Sequence, residues 1–304
     1  MRQNFRAERV GMLLLAAIIW GSAFVAQSTG MDHVEPFTFS MVRNIIGSFV
    51  LIPVVFFVRK CSTKVEDEKS TTKIITKAEV IGGICCGIVL FAASNFQQVG
   101  MKYTTVAKAG FITALYVVIV PILGLFLRKK ISPLIWFCVA LSVTGLYLLC
   151  MPKGSFMLER GDLLVLACAL MFSFHILVID YFSPKGNGVV ISCIQFLVCG
   201  VLSGIVAFLA EQPNVANILD AKWSILYAGV LSSGVAFTLQ IVGQKGVNPT
   251  VASLVMCLES VVAVLSGWII LGQALSQREI FGCVFMFVAI VLAQLPMPVK
   301  KERT

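Results

Sequence analysis

The sequence predicts an all-α membrane protein with ten transmembrane helices, arranged as two inverted repeats of five. Three observations lead there: a composition too apolar for a soluble body, ten apolar runs of spanning length, and a motif that returns half a chain later. Of 304 residues, 58% are hydrophobic and 13% charged, and mean hydropathy is +0.94. Soluble domains carry about 25% charged residues. A compact soluble body of this length has too little polar surface to cover so much apolar material. The net charge of +9 would suit nucleic acid. The basic residues, however, stand in short clusters between apolar runs, which is the pattern a membrane imposes. A lipid bilayer is therefore expected as partner and nucleic acid is not. Nine of the ten cysteines, all but Cys61, lie in or at the ends of apolar runs, and none forms a CxxC pair. They read as small packing residues. With two histidines, and His33 in a loop, no metal or other cofactor is expected.

The first run, 11–28, follows a basic segment, Met1 to Arg9. It ends at Gln27-Ser28 without a small-residue cleavage site, so it is expected to be a retained helix. The others are 36–58, 79–99, 104–127, 133–150, 161–180, 188–210, 222–243, 249–271 and 279–295. A spanning helix needs roughly 20 mostly apolar residues, and these runs supply them. The breaks carry polar residues, Pro or Gly: Asp32-His33-Val34-Glu35-Pro36, Arg128-Lys129-Lys130, Met151-Pro152-Lys153-Gly154, and Ser183 to Gly188. The charged stretch from Arg59 to Lys77 is assigned no structure. Membrane strands are excluded, because they need alternating segments of about ten residues. With the N-terminus inside, inner segments hold 17 Lys and Arg and outer segments 5, leaving Arg43 and Lys108 within runs. That bias puts both termini in the cytoplasm.

The repeat is visible in polar residues. Gln97-Gln98-Val99-Gly100-Met101-Lys102 matches Gln240-Ile241-Val242-Gly243-Gln244-Lys245 at four of six positions. Thr105-Val106-Ala107 then matches Thr250-Val251-Ala252. Ser40 and Arg43 fall opposite Ser192 and Gln195, and Ser132 and Phe137 opposite Ser276 and Phe281. The halves are 1–150 and 151–304. Five is odd, so the second half runs through the bilayer in the opposite sense. Inverted repeats of this kind exchange conformations across the membrane, which is the basis of alternating access in secondary transporters.

Four further elements carry a family resemblance: Ile19-Trp20-Gly21-Ser22-Ala23-Phe24, Arg43, Leu258-Glu259-Ser260-Val261-Val262-Ala263, and Leu271-Gly272-Gln273 followed by Arg278-Glu279-Ile280-Phe281-Gly282. In order and spacing, the chain resembles the drug/metabolite transporter superfamily, of the type with two EamA-like domains. Ser260 stands where that family commonly has Pro, and Gln273 where it has Glu. The resemblance implies ten helices, a central cavity lined by helices 1–4 and 6–9, and helices 5 and 10 at the periphery. It implies no particular substrate.

Ionisable groups inside apolar runs are costly and are the first candidates for a site. Glu259 lies about ten residues into its run; it either meets a cationic substrate group or coupling proton, or forms a structural pair. Arg43 either grips a carboxylate or phosphate in bidentate fashion or anchors two helices. Lys108 is within reach of the interface by its long stem. Asn95, Gln97 and Gln98 cluster on the third run, Gln240 is their counterpart, and Gln195 mirrors Arg43. Each either orients a substrate or makes an interhelical hydrogen bond. Trp20 and Tyr116 suit an aromatic cavity wall or plain packing. His175 is the histidine within a run, a proton relay or a hydrogen-bonded packing residue. Gly83/Gly87 and Gly200/Gly204 have the spacing of close helix contacts, and Pro53 and Pro121 are candidate kinks. The substrate-binding candidates are thus Glu259, Arg43, Lys108, Asn95, Gln98, Trp20, Tyr116, His175, Gln195 and Gln240.

An intramembrane enzyme is the rival reading; the chain has no HExxH, GxGD or GxSG motif and no P-loop. An ion channel would need an acidic ring or carbonyl filter, and neither is evident. A non-transporting membrane scaffold is the remaining alternative. The expectation is a secondary carrier of a small metabolite or drug, exporting on analogy with the family, with protons as candidate coupling ion.

Overall fold

The computed structural model describes residues 2–63, 75–104, 106–128, 131–150, 159–271 and 276–294. Parts of the expected breaks, among them Lys129-Lys130, Met151 to Gly154 and Gly272-Gln273, lie outside the described residues, as does the side chain of Lys108. Among the described residues the chain is helical, with no strand. In order, the helices are α1 (Arg2–Met31), α2 (Pro36–Thr63), α3 (Lys77–Met101), α4 (Val106–Ala114), α5 (Tyr116–Phe126), α6 (Pro133–Cys150), α7 (Arg160–Phe182), α8 (Gly188–Ala210), α9 (Val215–Asp220), α10 (Lys222–Leu226), α11 (Thr238–Gln244), α12 (Pro249–Met256), α13 (Leu258–Leu271) and α14 (Gln277–Gln294). A π-helical segment, Tyr227–Phe237, joins α10 to α11.

Seven stretches of the described residues are long and apolar enough to cross a membrane. They are Ala7–Met31, Pro36–Lys60, Lys77–Met101, Ala109–Phe126, Arg160–Lys185, Gly188–Ala210 and Lys222–Gln244; Pro133–Leu148 and Pro249–Ala263 are shorter apolar helices. The outer faces fit that reading. Phe57, Phe126, Phe208, Leu209 and Phe287 are exposed, whereas Leu13, Leu146, Leu254 and Met286 are sealed inside.

Local chemistry sets the helix starts. Thr76 and Glu79 form a capping box at α3. Asn187 caps α8, and Asn248 caps α12 with Pro249 in the first turn. The start of α2 is capped from afar: the Glu211 carboxylate, just past α8, accepts from the Phe37 and Thr38 amides at 2.8 Å each. At the opposite end of that helix pair, Glu79 accepts from the Asn187 amide at 2.8 Å and from Arg59 at 2.5 Å.

Helices in lipid gain little from burying apolar surface against each other, so small residues that admit close backbones carry much of the packing. α2 packs on α8, α3 on α7 and α8, α6 on α14, and α1 on α13, the π segment and α11. Gly83 and Gly87 lie against Ile194 and Val198, and Gly200 and Gly204 against Ile45 and Met41, so both expected close contacts are present. The two glycines of the repeated motif have matching roles. Gly100 abuts Gly161 and Val165 at the start of α7; Gly243 abuts Arg9, Met12 and Leu13 near the start of α1.

Three apolar runs that read as single helices are interrupted. The run 104–127 breaks at Leu115, where the Leu115 and Val118 amides reach back only three residues, to Ile112 at 3.2 Å and Leu115 at 2.9 Å. The run 249–271 breaks at Cys257, with the Ser260 amide bonded to the Cys257 carbonyl at 3.2 Å. The run 222–243 widens into the π segment, where Gly229 and Gly234 admit the backbone of α2. Irregular backbone at membrane depth persists only where protein or a cavity covers it. All three interruptions lie in one place.

Candidate functional site

Where the interruptions converge there is a cavity of about 550 Å³, counting its mouth. α1 contributes Trp20, Phe24 and Gln27, one stripe at helical spacing. Arg43 enters from α2, Gln97 from α3, Thr113 from α4 and Tyr116 from α5. From the other half come Phe172 and Ile176 of α7, Ser232 and Phe237 of the π segment, Gln240 of α11, Met256 of α12 and Glu259 of α13. α6 and α14 pack on one another and contribute no lining residue. Nor does α8, although the resemblance placed that helix on the wall.

The two charged residues are held by neutral partners. Arg43, 4% exposed, donates from Nη1 to Gln27 Oε1 at 2.9 Å, and its guanidinium carbon stands 5.8 Å from the Phe39 ring centre. Glu259, 7% exposed, accepts from the Tyr116 hydroxyl at 3.2 Å. Among the described residues neither has an ion-pair partner; the two ion pairs there are Arg59–Glu79 and Lys102–Glu35. Tyr116 begins α5 and Glu259 lies in the first turn of α13, so their bond ties two helix starts together. The Cys257 thiol, at the second break, donates to the Ala114 carbonyl at the first, 3.6 Å away. The carboxylate also sits where the N-terminal end of a helix favours negative charge.

The remaining wall is aromatic and sparsely polar. Trp20 meets Phe237 edge-on at 4.7 Å between ring centres, and its indole N–H donates to the Ser232 carbonyl at 3.4 Å. Gln97 donates to the Thr113 hydroxyl at 3.2 Å.

Of the ten residues singled out from sequence, five share this wall: Glu259, Arg43, Trp20, Tyr116 and Gln240. Four are elsewhere. His175 and Gln195 bond each other at 3.1 Å behind the wall, with His175 packed edge-on against Phe172 and Phe237. Asn95 donates to Ser203 at 3.0 Å, joining α3 to α8. Gln98 is fully buried with no hydrogen-bond partner for either amide atom, and nothing around it accounts for that. The tenth, Lys108, has no described side chain. Gln27, Phe24, Phe172 and Phe237 were not anticipated. Gln97 was noted only within its cluster, although the repeat aligns it with Gln240 and thus carried the signal.

The fold and its cavity define a multi-pass helical membrane protein with a buried site that carries both a basic and an acidic residue. The chain matches the EamA-like transporter family over residues 9–151 and again over 159–295, and it belongs to that family. It is 30% identical over 292 residues to an uncharacterized transporter of Archaeoglobus fulgidus, covering 93% of this chain and 84% of that one. It is 22% identical over 296 residues to the uncharacterized inner membrane transporter YedA of Escherichia coli K12, covering 94% and 90%. A solved crystal structure superposes with a TM-score of 0.77 at 19% identity, covering 95% of this chain and 96% of the other, a likeness of fold.

Proposed function

We propose that this transporter is a secondary carrier that moves a small solute across the cytoplasmic membrane by alternating access, and that the cavity is its substrate site. One observation carries the reading: a buried guanidinium and a buried carboxyl, neither paired with an opposite charge among the described residues, face one cavity lined from both halves of the chain. Such groups are costly at membrane depth, and a solute path is their usual reason.

The reading includes ten crossings in two inverted repeats, 1–150 and 151–304, with both termini cytoplasmic. The doubled family match supports the repeat. So does the packing, which keeps its pattern when each helical run is exchanged for the one five places later: α2 on α8 and α6 on α14 map onto themselves, and α3 on α7 maps onto α1 with α11. Such exchange is what alternating access requires. Outward transport is the direction the family resemblance implies. Glu259 is the candidate for a coupling proton, being the carboxyl of the wall.

The test is flux in proteoliposomes offered a metabolite extract. Saturable uptake accelerated by solute preloaded on the far side is the expected result. Unsaturable ion current, or no flux, would refute the carrier. Reporter fusions at the two termini, both read from the cytoplasm, test the topology.

A further inference from the structure

A short connection stands between two crossings of the second half. α8, Gly188–Ala210, has 23 residues. That is about 34 Å of helix, enough to cross the roughly 30 Å hydrocarbon core of a bilayer. The next spanning stretch starts at Lys222. Residues 211–221 therefore stand at one membrane boundary. It is the boundary where α2 begins, because Glu211 accepts from the Phe37 and Thr38 amides.

The connection is helical, and its sides differ. α9 and α10 join through Ala221 with the helical bond pattern kept: the Ile218, Ala221 and Ile225 amides reach the carbonyls four residues back at 3.1, 3.1 and 2.9 Å. Val215, Leu219 and Trp223 recur every four residues and share one side. They are 72%, 58% and 75% exposed. On another side Ala221 and Ile225 are buried, packed with Ile218 against Val34 and Phe39. Asn214 and Asn217 line a small polar cavity with Asp32, His33 and Glu35 of the α1–α2 turn.

The exposed stripe follows a longer one. On α8, Leu197, Val201, Ile205 and Phe208 form an exposed row that runs to Leu209 at the helix end. Along a spanning helix such a row faces acyl chains. Apolar exposure resumes six residues later at Val215, so the lipid-facing surface of α8 passes directly into the stripe. Exposed Lys222 stands next to Trp223. Trp is enriched at headgroup level, and a Lys stem lies on apolar surface while its charge stays in water.

We propose that Val215–Trp223 is a membrane-surface anchor whose partner is the lipid bilayer. Val215, Leu219 and Trp223 enter the zone between headgroups and acyl chains, as amphipathic interfacial helices do. Three polar contacts carry the hold inward. Glu211 grips the start of α2, the Ser224 hydroxyl meets Thr29 of α1 at 3.0 Å, and the Tyr227 hydroxyl meets Ser22 of α1 at 2.6 Å. The lipid thereby steadies α1 and α2, the helices that bring Trp20 and Arg43 to the cavity.

The experiment reads Trp223 fluorescence in the full chain, reconstituted in phosphatidylcholine vesicles, as the difference between the unmodified chain and Trp223→Phe. Lipid brominated at acyl carbons 6 and 7 should quench that component at least twofold more than lipid brominated at carbons 11 and 12. Iodide should quench it less than half as well as it quenches a free tryptophan amide. Free quenching by iodide with none by lipid would put the stripe in water and overturn the proposal. So would protection from both quenchers, which would mean cover by protein such as a second copy, and so would stronger quenching by the deeper bromines. A second reading uses Val215→Asp combined with Leu219→Asp. Amide hydrogen exchange at Phe37 and Thr38 should quicken at least tenfold while α3 exchanges as before. Unchanged exchange at Phe37 and Thr38 would overturn the hold on α2. Quenching in the unmodified chain decides the anchor even where the paired aspartates prevent folding, and neither reading depends on what the cavity carries.

Discussion

Two corners of the molecule occupy matching places and differ in one respect. On the first two helices, Gln27 of α1 accepts a hydrogen bond from Arg43 of α2 at 2.9 Å. On α7 and α8, which open the second family match, His175 and Gln195 share a bond of 3.1 Å. Arg43 and Gln195 are also the residues that the sequence repeat sets opposite each other. The first corner opens on the cavity and keeps a full charge. The second is sealed behind Phe172 and Phe237 and pairs two side chains that need carry none. A duplicated scaffold thus retains the bond twice and the charge once. On the proposed reading, the bond serves packing in both halves and the charge marks where solute is met.

Four substitutions press on that difference. Arg43→Gln would turn the first corner into a neutral pair like the second. Solute flux at equal amounts of folded protein should fall about a hundredfold, equivalent to about 2.7 kcal/mol, within the range for removing one member of a desolvated charge contact. Glu259→Gln keeps the shape and the Tyr116 contact while removing the other charge, and flux should fall about thirtyfold in the same assay. Tyr116→Phe deletes one hydrogen bond to that carboxyl. A loss of about 1 kcal/mol corresponds to about a fivefold rise in the half-saturating solute concentration. His175→Phe keeps the ring packing but leaves the Gln195 amide without its partner. It should lower the thermal midpoint by a few degrees, for a cost of about 1–3 kcal/mol, with flux per folded molecule unchanged within about twofold.

A second comparison concerns the two glycines of the repeat. A Cβ on Gly100 would stand 2.7 Å from Val165 Cγ2, and one on Gly243 would stand 3.0 Å from the Arg9 carbonyl. Val at either position should reduce the yield of folded protein to a similar degree. Unequal effects would show that the halves are not mechanically equivalent.

Much of the architecture was legible because lipid simplifies the code. A run of about 20 apolar residues has one stable solution in a bilayer, and a helix occupies each such run, although seven of the described stretches meet the full length and hydropathy of a span. The interruptions at Leu115 and Cys257 were not legible. Neither carries the expected signal: Pro121 lies inside α5 rather than at the break, and Ser260 stands where the family commonly has Pro. The π segment is likewise hidden in an ordinary apolar run. The costly residues, Arg43 and Glu259, pointed to the cavity they line, because charge at membrane depth has few explanations. Uncharged residues did not. Gln97 and Gln98 are neighbours of the same type, yet helical rotation sends one to the cavity and buries the other. Only the alignment of Gln97 with Gln240 separates them. Phe172 and Phe237 differ from lipid-facing Phe208 by orientation alone, which composition does not encode.

The most direct measurement is solute counterflow through the unmodified chain, Arg43→Gln and His175→Phe, side by side in proteoliposomes at equal folded amounts. If the charged corner is the solute contact and its twin is structural, His175→Phe keeps counterflow and Arg43→Gln lowers it about a hundredfold. Counterflow undiminished by Arg43→Gln, or lost in a well-folded His175→Phe, would contradict the account.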